Sequence, residues 1–136
     1  MTSYTGGCCC GAVRYEMRGE PLMTMQCQCL ACQKDTGTGH SCVMVFPRSA
    51  AQFTGRTTEF QRPGDTGGHV TKSFCPICGG TAKEDLSVMP DVVVIHAGSL
   101  DDPSRYRPQM VVYTSRGLAW DEVDPSLPKF PKLPPM

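Results

Sequence analysis

The segment that decides the fold is FCPICGG, residues 74–80. Two residues between Cys75 and Cys78 let the backbone curl so that both sulfurs can reach one metal ion at about 2.3 Å. Pro76 fixes φ inside this turn, and the glycine at position 79 permits the left-handed conformation that closes it. The segment therefore predicts a zinc knuckle, which supplies two of the four ligands of a tetrahedral site.

The other two ligands are expected in the N-terminal segment GGCCCG, residues 6–11. Residues i and i+2 of an extended segment point to the same face, so Cys8 and Cys10 can converge on one ion while Cys9 points away. The flanking glycines allow the backbone angles that such convergence needs. We therefore predict a closed structural zinc site, whose four ligands are Cys8, Cys10, Cys75 and Cys78.

The remaining cluster, CQCLAC at residues 27–32, supplies only three ligands. Cys27, Cys29 and Cys32 can hold one face of a zinc ion and leave a fourth position for water, a substrate thiolate or a carbonyl oxygen. Three thiolates temper the Lewis acidity of the metal, which suits a soft sulfur ligand. The spacing therefore predicts a second, open zinc site.

A fourth protein ligand would instead make this second site structural. The donors that the sequence offers are His40, His69, His96 and Cys42. Each histidine, taken singly, is expected to be a surface or hydrogen-bonded residue. Cys42 lies in the run HSCVMVF, residues 40–46, and is expected to be a small buried apolar residue.

Length and composition bound the class of protein. The chain has 136 residues, with 13 Lys and Arg against 13 Asp and Glu, which predicts a single domain without a net field toward nucleic acid or membranes. Residues 1–7 lack the pattern of a secretory signal, and the apolar stretch at 92–95 is too short to cross a bilayer. Nine cysteines, an odd number, indicate a reducing compartment, which we expect to be the cytosol.

Short alternating apolar runs separated by Gly and Pro turns predict a mainly β, zinc-stapled domain over residues 1–124 with irregular connections. Strands are expected at 12–18, 43–46, 57–62, 69–74, 92–97 and 109–114, and a short helix at 30–35 ended by Gly37. Five prolines from position 125 onward predict an extended tail, residues 125–136, lying along the domain or extending from it.

With all three clusters in place, the sequence resembles the glutathione-dependent formaldehyde-activating enzyme family, which also includes centromere protein V. The likeness runs through GGCxCGAVRY at 6–15, CxCxxCQKDTG at 27–37, FCxxCG at 74–79, GSLDD at 98–102 and GLAW at 117–120. One position departs from it, because Gln28 stands where the family commonly has histidine. Glutamine donates and accepts hydrogen bonds but cannot carry a proton near neutral pH.

The resemblance implies a tent-like folded-sheet zinc domain with a structural zinc on the four-cysteine set. It implies a catalytic zinc, which we expect to be labile, at Cys27, Cys29 and Cys32. The implied activity is that of a carbon–sulfur lyase, which interconverts S-(hydroxymethyl)glutathione, or a related hemithioacetal, with a thiol and an aldehyde such as formaldehyde.

The alternative function is that of a non-catalytic zinc module that binds a protein partner. Apolar residues around 86–90 could form such a surface, although Val88, Met89 and Pro90 fit equally well as core residues entering a strand. A nucleic-acid zinc ribbon ranks last, because the sequence has no basic stripe with interleaved aromatic residues.

Overall fold

The computed structural model describes residues 2–135 and is mainly β, as predicted. Those residues form ten strands and one α-helix. Contacts divide the chain into two compact units. The first comprises the residues up to Leu22 together with Met44–Arg105, and the second comprises Met23–Val43 and the residues from Tyr106 onward.

The first unit contains a three-stranded antiparallel sheet with the order β1-β2-β5. Its strands are β1 (Ser3–Gly7), β2 (Arg14–Arg18) and β5 (Ala51–Thr54). Tyr4, Tyr15 and Met17 on these strands are buried, whereas their chain neighbours Thr5 and Glu16 are exposed, as expected for strands with one face toward a core. The Cys8 segment follows directly on β1.

Four further strands of the first unit pair in chain order as antiparallel neighbours. They are β6 (Thr58–Pro63), β7 (His69–Phe74), β8 (Thr81–Leu86) and β9 (Met89–His96). The predicted zinc knuckle, residues 75–80, is the loop that joins β7 to β8. Val92–Ile95 in β9 are all buried and supply an apolar run to the core.

The second unit contains β3 (Met23–Cys27), the helix α1 (Leu30–Thr36) and β10 (Met110–Val112), which pairs parallel to β3. The strand β4 (Ser41–Pro47) begins in this unit and continues into the first. The proline-rich tail lies along β10, where Val111 N donates to Pro128 O and Phe130 N donates to Val111 O, each at 2.9 Å. Within residues 2–135, no helix is long and apolar enough to cross a membrane.

The predicted strands at β2, β4, β6, β7, β9 and β10 are confirmed, within a few residues at their ends. The predicted helix is also confirmed and ends at Gly37, whose φ of +73° is the left-handed conformation that glycine adopts without cost. Four strands were not predicted, namely β1, β3, β5 and β8. These strands are short, or glycine or charged residues interrupt their apolar alternation.

An exposed ion pair in the first unit links β2 to the segment that follows β9. Arg14 donates two hydrogen bonds to Asp101, at 2.9 and 2.5 Å, and Thr5 donates a third at 2.8 Å. These donors, Arg14 first, lower the pKa of Asp101 to about 2. Because both side chains are nearly half exposed, the pair contributes little to stability in ordinary buffer.

Replacing Arg14 by Gln should return the pKa of Asp101 toward the ordinary value of about 3.9. Because the pKa of Asp101 is lower in the folded state, the pair stabilises the fold fully above about pH 4, and that contribution is lost as the pH falls toward 2. A carboxyl-detected NMR titration of both proteins measures the pKa of Asp101. Asp124, held by Ser126, is the internal control, and an unchanged Asp101 titration in Arg14→Gln would contradict the assignment.

Candidate functional site

Four cysteines of the first unit converge from the two segments that the sequence indicated. The sulfur atoms of Cys8, Cys10, Cys75 and Cys78 all lie within 4.8 Å of one another. The knuckle closes as expected, since Gly79 has a φ of +77° and Cys75 N donates to Gly80 O at 2.9 Å. Cys8 and Cys75 also pack with Val13 and Ala82 in a buried cluster.

The spacing of these sulfurs fits a tetrahedral metal ion. Cys10 Sγ lies 3.7 Å from both Cys8 Sγ and Cys75 Sγ. Four sulfurs at about 2.3 Å from a central zinc would be separated from one another by about 3.8 Å. The donor set and the distances therefore suit zinc.

Backbone N–H groups point at sulfurs of this group, and at Cys8 and Cys78 they favour the ionised form by lowering the pKa. Val13 N donates to Cys8 Sγ at 3.3 Å, and Ile77 N donates to Cys75 Sγ at 3.4 Å. Hydrogen bonds from the backbone of Cys10, and then of Gly80, lower the pKa of Cys78 to about 6. A thiolate is the form that binds a metal, so these backbone donors favour the metal-binding form of Cys78.

Three cysteines of the second unit form another group at the junction of β3 and α1. The sulfurs of Cys27, Cys29 and Cys32 lie within 4.8 Å of one another. Cys29 is the N-cap of α1, and its sulfur accepts a hydrogen bond from Cys32 N at 3.3 Å. Strand end, cap and first helical turn thus aim the three side chains at one point.

Crowding opposes ionisation in this group. The hydrogen bond with Cys29 is the main cause that raises the pKa of Cys27 to about 12, and Cys27 and Cys29 together raise the pKa of Cys32. Each additional thiolate would face negative charge already present on its neighbours. A divalent cation reverses that balance, because it attracts every thiolate that it contacts.

No fourth ligand atom from histidine, cysteine or a carboxylate joins this group in the part of the chain that the structure describes, residues 2–135. The four donors considered from the sequence therefore stay outside it. Cys42 is partly rather than fully buried, and burial raises its pKa. The three sulfurs can accordingly hold one face of a metal ion and leave a position for another ligand.

The histidines make other interactions. His40 Nδ1 lies 2.8 Å from Asp121 Oδ2, and His96 Nε2 lies 3.2 Å from Glu84 Oε1. His69 is exposed. The expectation that each histidine is a surface or hydrogen-bonded residue is confirmed.

A buried polar network lies beside the three-cysteine group and was not predicted from the sequence. Gln28 is only 4 % exposed, and its Nε2 donates to Asp121 Oδ2 at 3.1 Å. Asp121 accepts from His40 as well. Gln28 and Asp121 are 93 residues apart, so no local pattern could have linked them.

Comparison with known proteins gives a family and a fold. A family model described as glutathione-dependent formaldehyde-activating enzyme matches residues 3–116. No curated protein sequence matches the chain. A crystal structure of a Rhodobacter sphaeroides protein, a Northeast Structural Genomics target, superposes with a TM-score of 0.59 at 18 % identity, covering 93 % of this chain and 98 % of that one. At this identity the likeness concerns the fold alone.

Replacing Cys75 by Ser should remove one zinc per chain and lower the thermal midpoint sharply, because the binding energy of a structural zinc is folding energy, of order 10 kcal/mol in small zinc peptides. Metal analysis and calorimetry measure the two effects. Cys9→Ser is the matched control, since Cys9 is exposed and outside the group. Equal zinc content and equal midpoints in the two variants would contradict a metal at this group.

Proposed function

Since the chain belongs to the glutathione-dependent formaldehyde-activating enzyme family, we propose that it is a zinc-dependent carbon–sulfur lyase. Its reaction interconverts S-(hydroxymethyl)glutathione, or a related hemithioacetal, with a thiol and an aldehyde such as formaldehyde. In the forward direction a bond forms between the thiol sulfur and the aldehyde carbon, and the proton of the thiol ends on the aldehyde oxygen. The reverse direction breaks the same carbon–sulfur bond.

One observation carries this proposal, namely that three sulfurs converge without a fourth ligand atom from the described residues. We assign Cys27, Cys29 and Cys32 as the ligands of a catalytic zinc, and their roles are to hold the ion and to leave one position open. A zinc ion held there would supply the positive charge that favours the thiolate form of a substrate thiol near neutral pH. Cys29 and Cys32 are partly exposed, which leaves this side of the group accessible to a small molecule.

The four-cysteine group takes the structural role in this proposal. Its members include the buried Cys8 and Cys75, which pack against the apolar Val13 and Ala82. A closed set of four sulfurs has no position for a substrate, so its zinc would stabilise the fold only. We assign the protein to the cytosol, because its nine free cysteines and a glutathione substrate both suit a reducing compartment.

A second candidate function is partner binding by a zinc module without catalysis. The observation that favours it is the exposure of Val88, at 54 %, and of Met89, at 37 %, at the turn between β8 and β9. The interpretation of these residues as core is thereby wrong. An exposed apolar pair is a small surface, however, and the open group of three sulfurs has no role in this function.

The enzyme proposal predicts that Cys29→Ser loses about 100-fold or more of the catalysed rate. Removing a hydrogen-bonded group behind a metal ligand commonly costs about 10- to 100-fold in affinity or activity, and removing the ligand itself should cost at least as much. Exchange spectroscopy by NMR follows the interconversion of glutathione and S-(hydroxymethyl)glutathione at equilibrium, above the uncatalysed background. Cys42→Ser is the control, because this cysteine of the same unit lies outside the group. Equal rates in Cys29→Ser and Cys42→Ser would remove the proposal.

Zinc lability separates the two candidate functions. If the protein is a lyase, adding glutathione should perturb one of two zinc ions, because a substrate thiol takes the open position. Cobalt substitution makes this visible as a change in the thiolate-to-metal charge-transfer bands of one site. Two ions that are both inert to glutathione would favour the partner-binding module.

A further inference from the structure

Gln28 stands in the sequence between Cys27 and Cys29, but its side chain does not point in the same direction as theirs. The main chain is extended through the end of β3 and at Cys29, where φ is −66° and ψ is 160°. Side chains alternate along an extended segment, so Gln28 projects to the face opposite Cys27 and Cys29. The side chain is buried there, which places it behind the three-cysteine group.

Asp121 is the hydrogen-bond partner of the Gln28 side chain on this buried face. Its carboxylate accepts from Gln28 Nε2 at 3.1 Å and lies 2.8 Å from His40 Nδ1. A carboxylate only accepts hydrogen bonds, so it places the imidazole proton on Nδ1. The carboxylate is 7 % exposed, and buried hydrogen bonds to a charged group are among the stronger ones in proteins.

Two glycines permit this close packing. A side chain at Gly39 would collide with the carboxylate of Asp121, and a Cβ at Gly117 would lie 2.9 Å from Gln28 Oε1. The main chain of the turn between β3 and α1 is held by a separate contact, since Gln33 Nε2 donates to Gln28 O and to Arg116 O, each at 2.9 Å. The turn between β3 and α1 is therefore tied to residues 116–121 at both its backbone and its side chain.

We propose that Gln28 and Asp121 are positioning residues that set the zinc affinity of the three-cysteine group. The inference rests on the proposed function in one respect, namely that this group holds zinc. Three thiols on a short turn repel one another once ionised, and they bind tightly only if the turn holds them converged before the ion arrives. The hydrogen bond from Gln28 to Asp121 supplies that restraint.

Residue 28 therefore does not act on the substrate. Its side chain faces away from the sulfurs, so its contribution is to orient the turn and not to transfer a proton. His40 acts through the same carboxylate, because it holds Asp121 in place from the other side. Hydrogen-bonded groups behind metal ligands commonly change metal affinity by about 10- to 100-fold when they are removed.

The test uses the full chain loaded with two equivalents of zinc and titrated with a chromophoric chelator, so that the four-cysteine group is an internal reference. Gln28→Leu keeps the size of the side chain but removes the donor, and it should weaken only the three-cysteine site, by about 10- to 100-fold. Asp121→Asn should weaken the same site, because one amide oxygen must replace a carboxylate with two partners. Gln28→His, which keeps an N–H donor, should retain most of the affinity.

Glu84→Gln is the matched control. It removes the negative charge of another buried carboxylate beside a histidine, His96, in the first unit, and Glu84 belongs to neither cysteine group. Unchanged affinity of the three-cysteine site in Gln28→Leu would overturn the proposal. Equal weakening of both zinc sites, or equal weakening of the three-cysteine site in Glu84→Gln, would also overturn the proposal, since each indicates a general loss of stability. So would a Gln28→His variant whose three-cysteine site binds zinc as weakly as that of Gln28→Leu, since the N–H donor would then make no difference.

The affinity readout is independent of catalysis, so the two proposals fail separately. Wild-type protein that binds two zinc ions but shows no lyase activity would refute the proposed function and leave the positioning role intact. Wild-type protein whose three-cysteine group binds no zinc would refute both. Active wild-type protein with unchanged zinc affinity in Gln28→Leu would refute the positioning role alone.

Discussion

Crowding among ionisable sulfurs is the constraint on which the rest of the structure depends. Seven of nine cysteines lie in two groups whose sulfurs are within 4.8 Å of their neighbours. Thiolates at such distances repel one another, and neutral thiols contribute little as hydrogen-bond partners. A bound cation would turn this repulsion into attraction. The positions of the sulfurs therefore constrain the segment after β1 and the β7–β8 loop in the first unit, and separately the β3–α1 junction in the second.

In the proposed function, the two cysteine groups have different roles because they have different numbers of ligands. Four sulfurs form a closed set beside Val13 and Ala82, and metal binding there is folding energy. Three sulfurs form a set with one position to spare, and in our proposal the hydrogen bond from Gln28 to Asp121 holds the turn that carries them. On this proposal, a zinc ion at the three-cysteine group would need more support from the surrounding protein than one at the four-cysteine group, because three ligands do less to fix their own geometry.

The sequence revealed the cysteine groups because metal geometry imposes local spacing, and it revealed strands such as β2 and β9 because apolar residues alternate or run together there. It did not reveal β8, whose TAKEDL sequence is largely polar although Ala82 and Glu84 are buried, nor β1, which ends in two glycines. Asp121 carried no signal, because its partners Gln28 and His40 are 93 and 81 residues away. Contacts of this range depend on tertiary packing.

X-ray absorption at the zinc edge tests the central claim most directly. Seven cysteine sulfurs shared by two ions give an average of about 3.5 sulfurs per zinc, and occupation of the open position by glutathione raises that average to about 4. The account predicts this rise, with loss of an oxygen ligand from one ion. An average that glutathione leaves unchanged, with a protein nitrogen, oxygen or sulfur permanently completing the second site, would contradict it.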